Sequence, residues 1–306
     1  MPAFDIRNIP SQKGKIAIVT GANTGLGFET ALALASREMK VIMACRDMEK
    51  ARLAGQAILR KVPGANIEVM LVDLSSLSSV HDFAIGFISR YNRLDLLINN
   101  AGIMVPPYSL TKDGFESQFA VNYLSHFLLT GLLLDVITKT PGSRIVTLAS
   151  NAHRKGFINF EDINSKKEYS PMKAYRQSKL ACLVFAFELQ RRLEKNGYST
   201  ISVAAHPGVV VTELVRHIPK WLMFIGKPVT ALTTQSPQKG ALPILYAALA
   251  PDVKGGEYFG PQGRSEWKGK PGRAYTTPLS KDEQVGKRLW EVTEKLTGRR
   301  WLSSLI

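Results

Sequence analysis

Lys-Ile-Ala-Ile-Val-Thr-Gly-Ala-Asn-Thr-Gly-Leu-Gly, from Lys15 to Gly27, is the stretch on which the fold turns. Lys15 to Thr20 is a short apolar run ending in glycine, and Phe28 to Arg37 carries helical periodicity, so the chain opens as strand, turn, helix. Gly21, Gly25 and Gly27 permit positive φ and let the backbone approach a pyrophosphate, whose charge the helix N-terminus favours. A tight strand-to-helix turn uses glycine for structural reasons too, so the turn gains meaning only from the residues downstream of it.

The unit recurs. Val41 to Ala44, Ile67 to Val72, Leu94 to Ile98, Arg144 to Leu148 and Ile201 to Ala205 read as strands. Met48 to Lys61, Val80 to Tyr91, Gly114 to Thr138, Met172 to Glu194 and Gln238 to Ala250 read as helices. Glu257 to Phe259 reads as an edge strand, and Asp282 to Leu296 as a closing amphipathic helix. Continuous Val/Ile/Leu strands alternating with helices predict an α/β, doubly wound Rossmann fold, a mainly parallel sheet flanked by helices on both faces. With 306 residues, 45% hydrophobic content and no linker, repeat or low-complexity run, residues 1–306 are expected to form a single domain. Two long mixed stretches, about 151–171 and 209–237, follow strand C-termini, where open sheets of this kind bind ligands, and are expected to be substrate loops.

Tyr175 and Lys179 lie one turn apart on the same face of a helix, so a phenol and an ammonium can serve one reacting centre. Hydride addition to a carbonyl builds negative charge on oxygen and needs a proton donor; a phenol fills that role readily only beside a cation. A Tyr and a Lys at this spacing also occur by chance on many helices. Joined to the phosphate turn, they point to proton-coupled hydride transfer.

The end of the second strand bears on the cofactor. The ribose is usually held by an acidic residue about twenty positions past the turn. Cys45 stands in that place and Arg46 follows, whose guanidinium can pair with a 2′-phosphate. NADP(H) is therefore preferred, with NAD(H) the weaker alternative because Asp47 is adjacent; a solvated Arg46 at a helix start is the rival reading.

In order along the chain, these motifs resemble those of the short-chain dehydrogenase/reductase family over roughly residues 14–260. They comprise Thr-Gly-x-x-x-Gly-x-Gly at Thr20 to Gly27, Asp73 after the third strand, and Asn-Asn-Ala-Gly at Asn99 to Gly102. Asn122 in the long helix, Ser150 after the fifth strand, Tyr-x-x-x-Lys at Tyr175 to Lys179 and Pro-Gly-x-x-x-Thr at Pro207 to Thr212 complete them. Ala-Cys-Arg-Asp, the long segment before Tyr175 and His-Pro-Gly-Val-Val resemble the retinol dehydrogenase-like branch. The resemblance implies catalytic roles for Asn122, Ser150, Tyr175 and Lys179: Tyr175 as acid/base, Ser150 donating to the substrate oxygen, and Asn122 bending its helix and linking Lys179 through water to solvent. It implies cofactor contacts from Gly21, Asn23, Thr24, Gly25, Leu26 and Gly27, from Arg46, and from Asp73 and Leu74 at the adenine. Asn100, Ala101 and Gly102, with Tyr175 and Lys179, would follow, and Pro207, Gly208, Val210 and Thr212 would hold the nicotinamide end. Asn99 would brace the central strands. The interval from Ser150 to Tyr175 exceeds that of compact members, and Asn151 competes for the place of Ser150. Helices carrying Asn122 and Tyr175 commonly pair between subunits in this family, so a homo-oligomer is among the expectations.

The net charge of +15 is spread from Lys13 to Arg300 without a zinc-finger, helix-turn-helix or aromatic-basic signature, so no nucleic-acid partner is expected. No Cys/His/Asp spacing suits a metal. His126 reads as a packed helix residue, His153 as a neighbour of the substrate cleft and His206 as structural. Cys45 and Cys182, with no secretory h-region at the start, predict free thiols in a cytoplasmic, soluble setting. The longest apolar stretch, Phe127 to Ile137, is too short to span a bilayer. The run from Trp221 to Ile225 predicts a hydrophobic lid over a lipophilic aldehyde or ketone, or a peripheral membrane contact, against the plainer reading of a short packed helix. The residues together predict an NADP(H)-dependent oxidoreductase interconverting such a carbonyl and its alcohol. Reduction of an activated C=C bond and a non-catalytic dinucleotide sensor or scaffold stand as alternatives. The glycine spacing and Asn-Asn-Ala-Gly argue against a nucleotide-sugar epimerase.

Overall fold

Eight strands form one sheet in a computed structural model that describes residues 4–210 and 234–302. They are β1 (Ile16–Thr20), β2 (Lys40–Cys45), β3 (Ile67–Leu71), β4 (Leu96–Asn99), β5 (Arg144–Leu148), β6 (Ile201–Ala205), β7 (Tyr258–Pro261) and β8 (Pro271–Arg273). Their order is β3-β2-β1-β4-β5-β6-β7-β8, with β1 to β7 parallel and β8 antiparallel to β7. Strand order reverses between β1 and β4, which opens a crevice at the carboxyl ends of the sheet.

The helices are α1 (Gly25–Ala35), α2 (Met48–Lys61), α3 (Leu77–Ile88), α4 (Ser117–Phe119), α5 (Ser125–Leu132), α6 (Leu134–Thr138), α7 (Pro171–Lys195), α8 (Pro237–Leu249), α9 (Pro278–Lys281) and α10 (Glu283–Thr297). α1, α2 and α8 cover one face of the sheet through Leu34, Ile58 and Ile244; α3, α5, α7 and α10 cover the other through Phe87, Phe127, Leu183 and Trp290. α2 shows the logic locally. Asp47 caps it by accepting from the Lys50 N–H at 3.0 Å, and Ala51, Ala54, Gly55 and Ile58 form its buried stripe.

Two expectations need correction. The helix predicted over Gly114 to Thr138 is broken: a π-turn over Ala120–Leu124 separates α4 from α5, and Leu133 breaks the rod again before α6. The π-turn carries Asn122, whose side chain is held by the backbone of Ile103 and by Ser178, so a local insertion in the helical ladder satisfies tertiary partners. The strand at Glu257 to Phe259 is not an edge, because β8 pairs beyond it at Phe259↔Arg273, Gly260↔Gly272 and Pro261↔Pro271. Pro-Gly-Arg has no apolar alternation, so β8 gave no periodic signal.

The closing segment folds back over the long helices. Trp290 and Trp301 stand 4.5 Å apart by ring centroids, and each lies 4.9 Å from Phe127. Gly131 of α5 makes room, since a Cβ there would meet the Trp301 indole at 2.6 Å. This face of α5 and α7 is thus covered by the chain itself, and a homo-oligomer using it would have to displace α10. Among the described residues no helix is long and apolar enough to cross a membrane.

Candidate active site

The glycine turn is built by reach across the sheet. The Thr20 carbonyl accepts from Asn100 Nδ2 at 2.7 Å, and Thr20 Oγ1 accepts from the N–H groups of Asn100 and Ala101, each at 2.9 Å. With two donors on its oxygen, the Thr20 hydroxyl donates to His126 Nε2 at 2.9 Å, and His126 Nδ1–H donates to the Asn122 carbonyl at 2.9 Å. Burial holds His126 neutral, pushing its pKa down to about 4 against the opposing bond to Asn122. A side chain on Gly27 would place its Cβ 2.2 Å from the Gly21 carbonyl and 2.6 Å from Asn100 Nδ2. Only glycine lets α1 start this close to the turn. Asn99 donates to Thr130 Oγ1 at 3.1 Å and so ties β4 to α5.

A cleft of about 700 Å³ opens over this turn. It gathers Gly21, Asn23, Thr24, Gly25, Leu26, Gly27, Arg46, Asn100, Ala101 and Gly102 on one side. Ser150, Tyr175, Lys179, Pro207, Gly208 and Val210 stand on the other. Asp73 and Leu74 lie in an adjoining hollow of about 450 Å³ that shares Gly21, Asn23 and Arg46 with the first. Asp73 Oδ1 accepts from the N–H and hydroxyl of Ser75, so it also performs the plain turn role expected of such a residue. Thr212 and the Trp221 to Ile225 run lie outside the described residues, as does most of the second loop.

Cys45 ends β2 with its thiol buried beneath the turn, pushed up to about 11 by that burial. Asp47 is committed to capping α2 and to Lys50 Nζ at 3.2 Å. Arg46 is exposed and makes no ion pair among the described residues. Lys50, which no sequence motif singled out, lines the same cleft. Its signal was present: three residues past Asp47, it falls in the first turn of α2 beside Arg46.

On the far wall α7 carries the phenol and ammonium. Tyr175 and Lys179 are buried, and Lys179 Nζ donates to the Leu148 carbonyl at 3.0 Å. No carboxylate pairs with Lys179 among the described residues. A Cβ on Gly102 would lie 3.1 Å from Asn122 Oδ1 and 3.5 Å from Lys179 Nζ, so all three crowd one spot. Asn122 exchanges hydrogen bonds with Ile103, accepting at 2.8 Å and donating at 3.0 Å, and donates to Ser178 Oγ at 2.9 Å. Ser150 Oγ accepts from the Ala152 N–H at 3.2 Å, which leaves its own proton to donate. Asn151 is engaged elsewhere, donating to the carbonyls of Ser265 and Glu266.

The third wall follows β6. Gly208 sits at φ +72°, where a Cβ would strike the Trp267 carbonyl at 2.3 Å. His206, read from sequence as structural, hydrogen-bonds Glu266 at 2.9 Å; burial drives the imidazole down in pKa and outweighs that carboxylate. His153 is likewise neutral, its burial lowering it to about 4, and its Nδ1 lies 2.7 Å from the Ser150 carbonyl. Glu266 itself gave no motif signal. Among the described residues no group of three or more His, Cys, Asp or Glu side chains is arranged to hold a metal.

The residues fit a dinucleotide on three counts. Thr24 makes no side-chain cap to α1, so first-turn N–H groups remain for an anion at the cleft. Arg46 and Lys50 flank that end with positive charge, and Lys179 lines the other. The cleft and its annex run continuously between them.

Known proteins resemble this chain in sequence and fold. Residues 15–223 match the short chain dehydrogenase family. Retinol dehydrogenase 13 of Mus musculus is 44% identical over 93% of this chain and 84% of its own length. Retinol dehydrogenase 12 of Homo sapiens is 42% identical over 94% and 88%. An uncharacterized protein of Mycobacterium paratuberculosis superposes with a TM-score of 0.81 at 39% identity, covering 97% of this chain and 98% of that one. The Pseudomonas aeruginosa RhlG/NADP complex, at 23% identity and TM-score 0.64 over 81% and 94% of the two chains, shares the fold.

Proposed function

We propose, for a chain that belongs to the short-chain dehydrogenase family, that it interconverts a lipophilic aldehyde or ketone and its alcohol using NADP(H). The observation that carries this reading is the buried, carboxylate-free Lys179 ammonium one helical turn from Tyr175, in the cleft that the glycine turn lines. When bound, a reduced nicotinamide dinucleotide would supply hydride to the carbonyl carbon. Tyr175 would give its proton to the carbonyl oxygen, and Lys179 would stabilise the phenolate left behind. Ser150 would donate to the same oxygen and fix its position. Asn122 would hold the strand-end loop at Ile103 and keep the surroundings of Lys179 open to water. The reverse direction uses the same groups with the proton returning to the phenolate.

The first turn of α1 with Asn23 and Thr24 would receive the pyrophosphate, Asp73 and Leu74 the adenine, and Arg46 with Lys50 a 2′-phosphate. Leu148, Ala149, Ile103, Met104 and Val209 give the cleft near Tyr175 an apolar wall. That wall, and relatives named retinol dehydrogenases, support a lipophilic substrate. Consumption of NADPH against a panel of aldehydes, ketones and quinones, repeated with NADH, tests the reading. Turnover of C=C substrates alone, or of none with either cofactor, would overturn it.

A further inference from the structure

Three loops meet where β5, β6 and β7 end, and one carboxylate joins them. Glu266 Oε2 accepts from His206 Nε2 at 2.9 Å and pairs with Arg154 at 2.7 Å, while Oε1 accepts from the Tyr275 N–H at 2.8 Å. His206 immediately precedes the Pro207–Gly208 turn, and Arg154 lies four residues past Ser150. The backbone around Glu266 repeats the connection. The carbonyls of Ser265 and Glu266 accept from Asn151 Nδ2 at 3.3 and 3.2 Å, and the Trp267 carbonyl accepts from the Val209 N–H at 2.8 Å.

The geometry also selects one state of His206. Gly208 N–H donates to Nδ1 at 3.2 Å, so Nδ1 is unprotonated and Nε2 carries the proton given to Glu266. Ser265 and Glu266 are consecutive non-glycine residues at φ 55° and 54°, a left-handed pair that persists only where surroundings over-determine it.

We propose that Glu266 is a positioning residue that registers the Ser150 loop against the Pro207–Gly208–Val209 turn. It thereby sets the substrate-oxygen donor relative to the nicotinamide end of the cleft, without touching either ligand. The proposal rests on the hydride-transfer reading of the cleft. Glu266→Gln tests it by chemistry as well as by shape. The amide can offer an N–H to His206 Nε2, which moves the imidazole proton to Nδ1 and leaves Gly208 N–H without its acceptor.

Two measurements decide it. Amide hydrogen exchange of the ligand-free Glu266→Gln chain is expected to quicken about tenfold over residues 150–155 and 205–210, with residues 16–27 unchanged. Titration calorimetry is expected to show the whole dinucleotide weakened about tenfold and its isolated adenosine half, 2′,5′-ADP, unchanged, with kcat falling by a similar factor. Exchange unchanged at either loop, or equal weakening of dinucleotide and half-ligand, overturns the proposal. A wild-type chain that binds no dinucleotide overturns the proposed function instead, while the exchange comparison still decides the clasp. Should Glu266→Gln lose its fold, Arg154→Met, which cuts the Ser150-side pairing and the Arg154 contact with the Tyr275 ring but spares the His206–Glu266 bond, is expected to quicken residues 150–155 and leave 205–210 unchanged; loosening of both loops or neither overturns the assignment.

Discussion

The two sides of the cleft are held together by opposite means. On the β1–β4 side, Thr20, Asn100 and Ala101 interlock through uncharged bonds that each pair a side chain with a backbone group, and a missing Cβ at Gly27 allows the approach. On the β5–β8 side, Arg154, His206 and Glu266, distant in sequence, are joined by side chains and charge. The near side is held by close approach without charge, whereas the far side is held by an ion pair that a single substitution can break.

Removing the reacting group alone is the sharpest test, because both sides stay intact. Tyr175→Phe is expected to lower kcat about 10³-fold while dinucleotide affinity stays within about twofold. Stopped-flow turnover with calorimetric binding reads both. A variant that loses binding along with turnover would mean that Tyr175 shapes the near side instead of serving the chemistry.

The far side hides the neutral imidazole of His206, and each side hides one lowered further still, His126 beneath the near side and His153 beneath the far. Both have folded values near 4, below the usual 6.5, so between those values the unfolded chain binds more protons than the folded one. Stability therefore falls as pH drops from about 6.5 to about 4, by on the order of 3 kcal/mol per imidazole. Urea midpoints across this window measure the slope, and His126→Gln should remove about half of the part due to the two rings. A slope unchanged in that variant would show that His126 is not held neutral in the fold.

Cofactor choice separates the near side into backbone and charge. Arg46→Asp is expected to lower the preference for NADPH over NADH about 30-fold, since a charge-assisted phosphate bond is lost and a like charge takes its place. Ratios of kcat/KM for the two cofactors read it. An unchanged ratio would return Arg46 to a solvated helix start.

The difference between the sides also explains what could be read from residues alone. Strands such as Arg144–Leu148 and Ile201–Ala205 were legible because parallel strands buried on both faces are apolar runs. The glycine turn and the Tyr175/Lys179 pair were legible because local spacing carries them. The family resemblance implies that Asn122 bends or hydrates its helix, and Asn122 lies in the π-turn. β8 and Glu266 were not legible: a Pro-Gly-Arg strand has no period, and a carboxylate that meets His206 across 60 positions leaves no local trace. The helix break at Leu133 was equally silent, because apolar spacing runs on through it.

Lys50 offers the smallest and most discriminating effect. Its ammonium is exposed and already paired with Asp47, so solvent and a competing carboxylate both dilute its pull on a phosphate. Lys50→Ala should weaken NADPH only about threefold and leave NADH unchanged, while the cap of α2, which uses the Lys50 backbone N–H, survives. Because Asp47 would then lose its cation and repel the same phosphate, combining Lys50→Ala with Asp47→Asn separates the two contributions, and a direct contact predicts little recovery, the amide oxygen still serving the cap. If the double variant binds NADPH no better than Lys50→Ala alone, Lys50 contacts the phosphate directly; recovery assigns it the lesser task of neutralising Asp47 so that Arg46 can act.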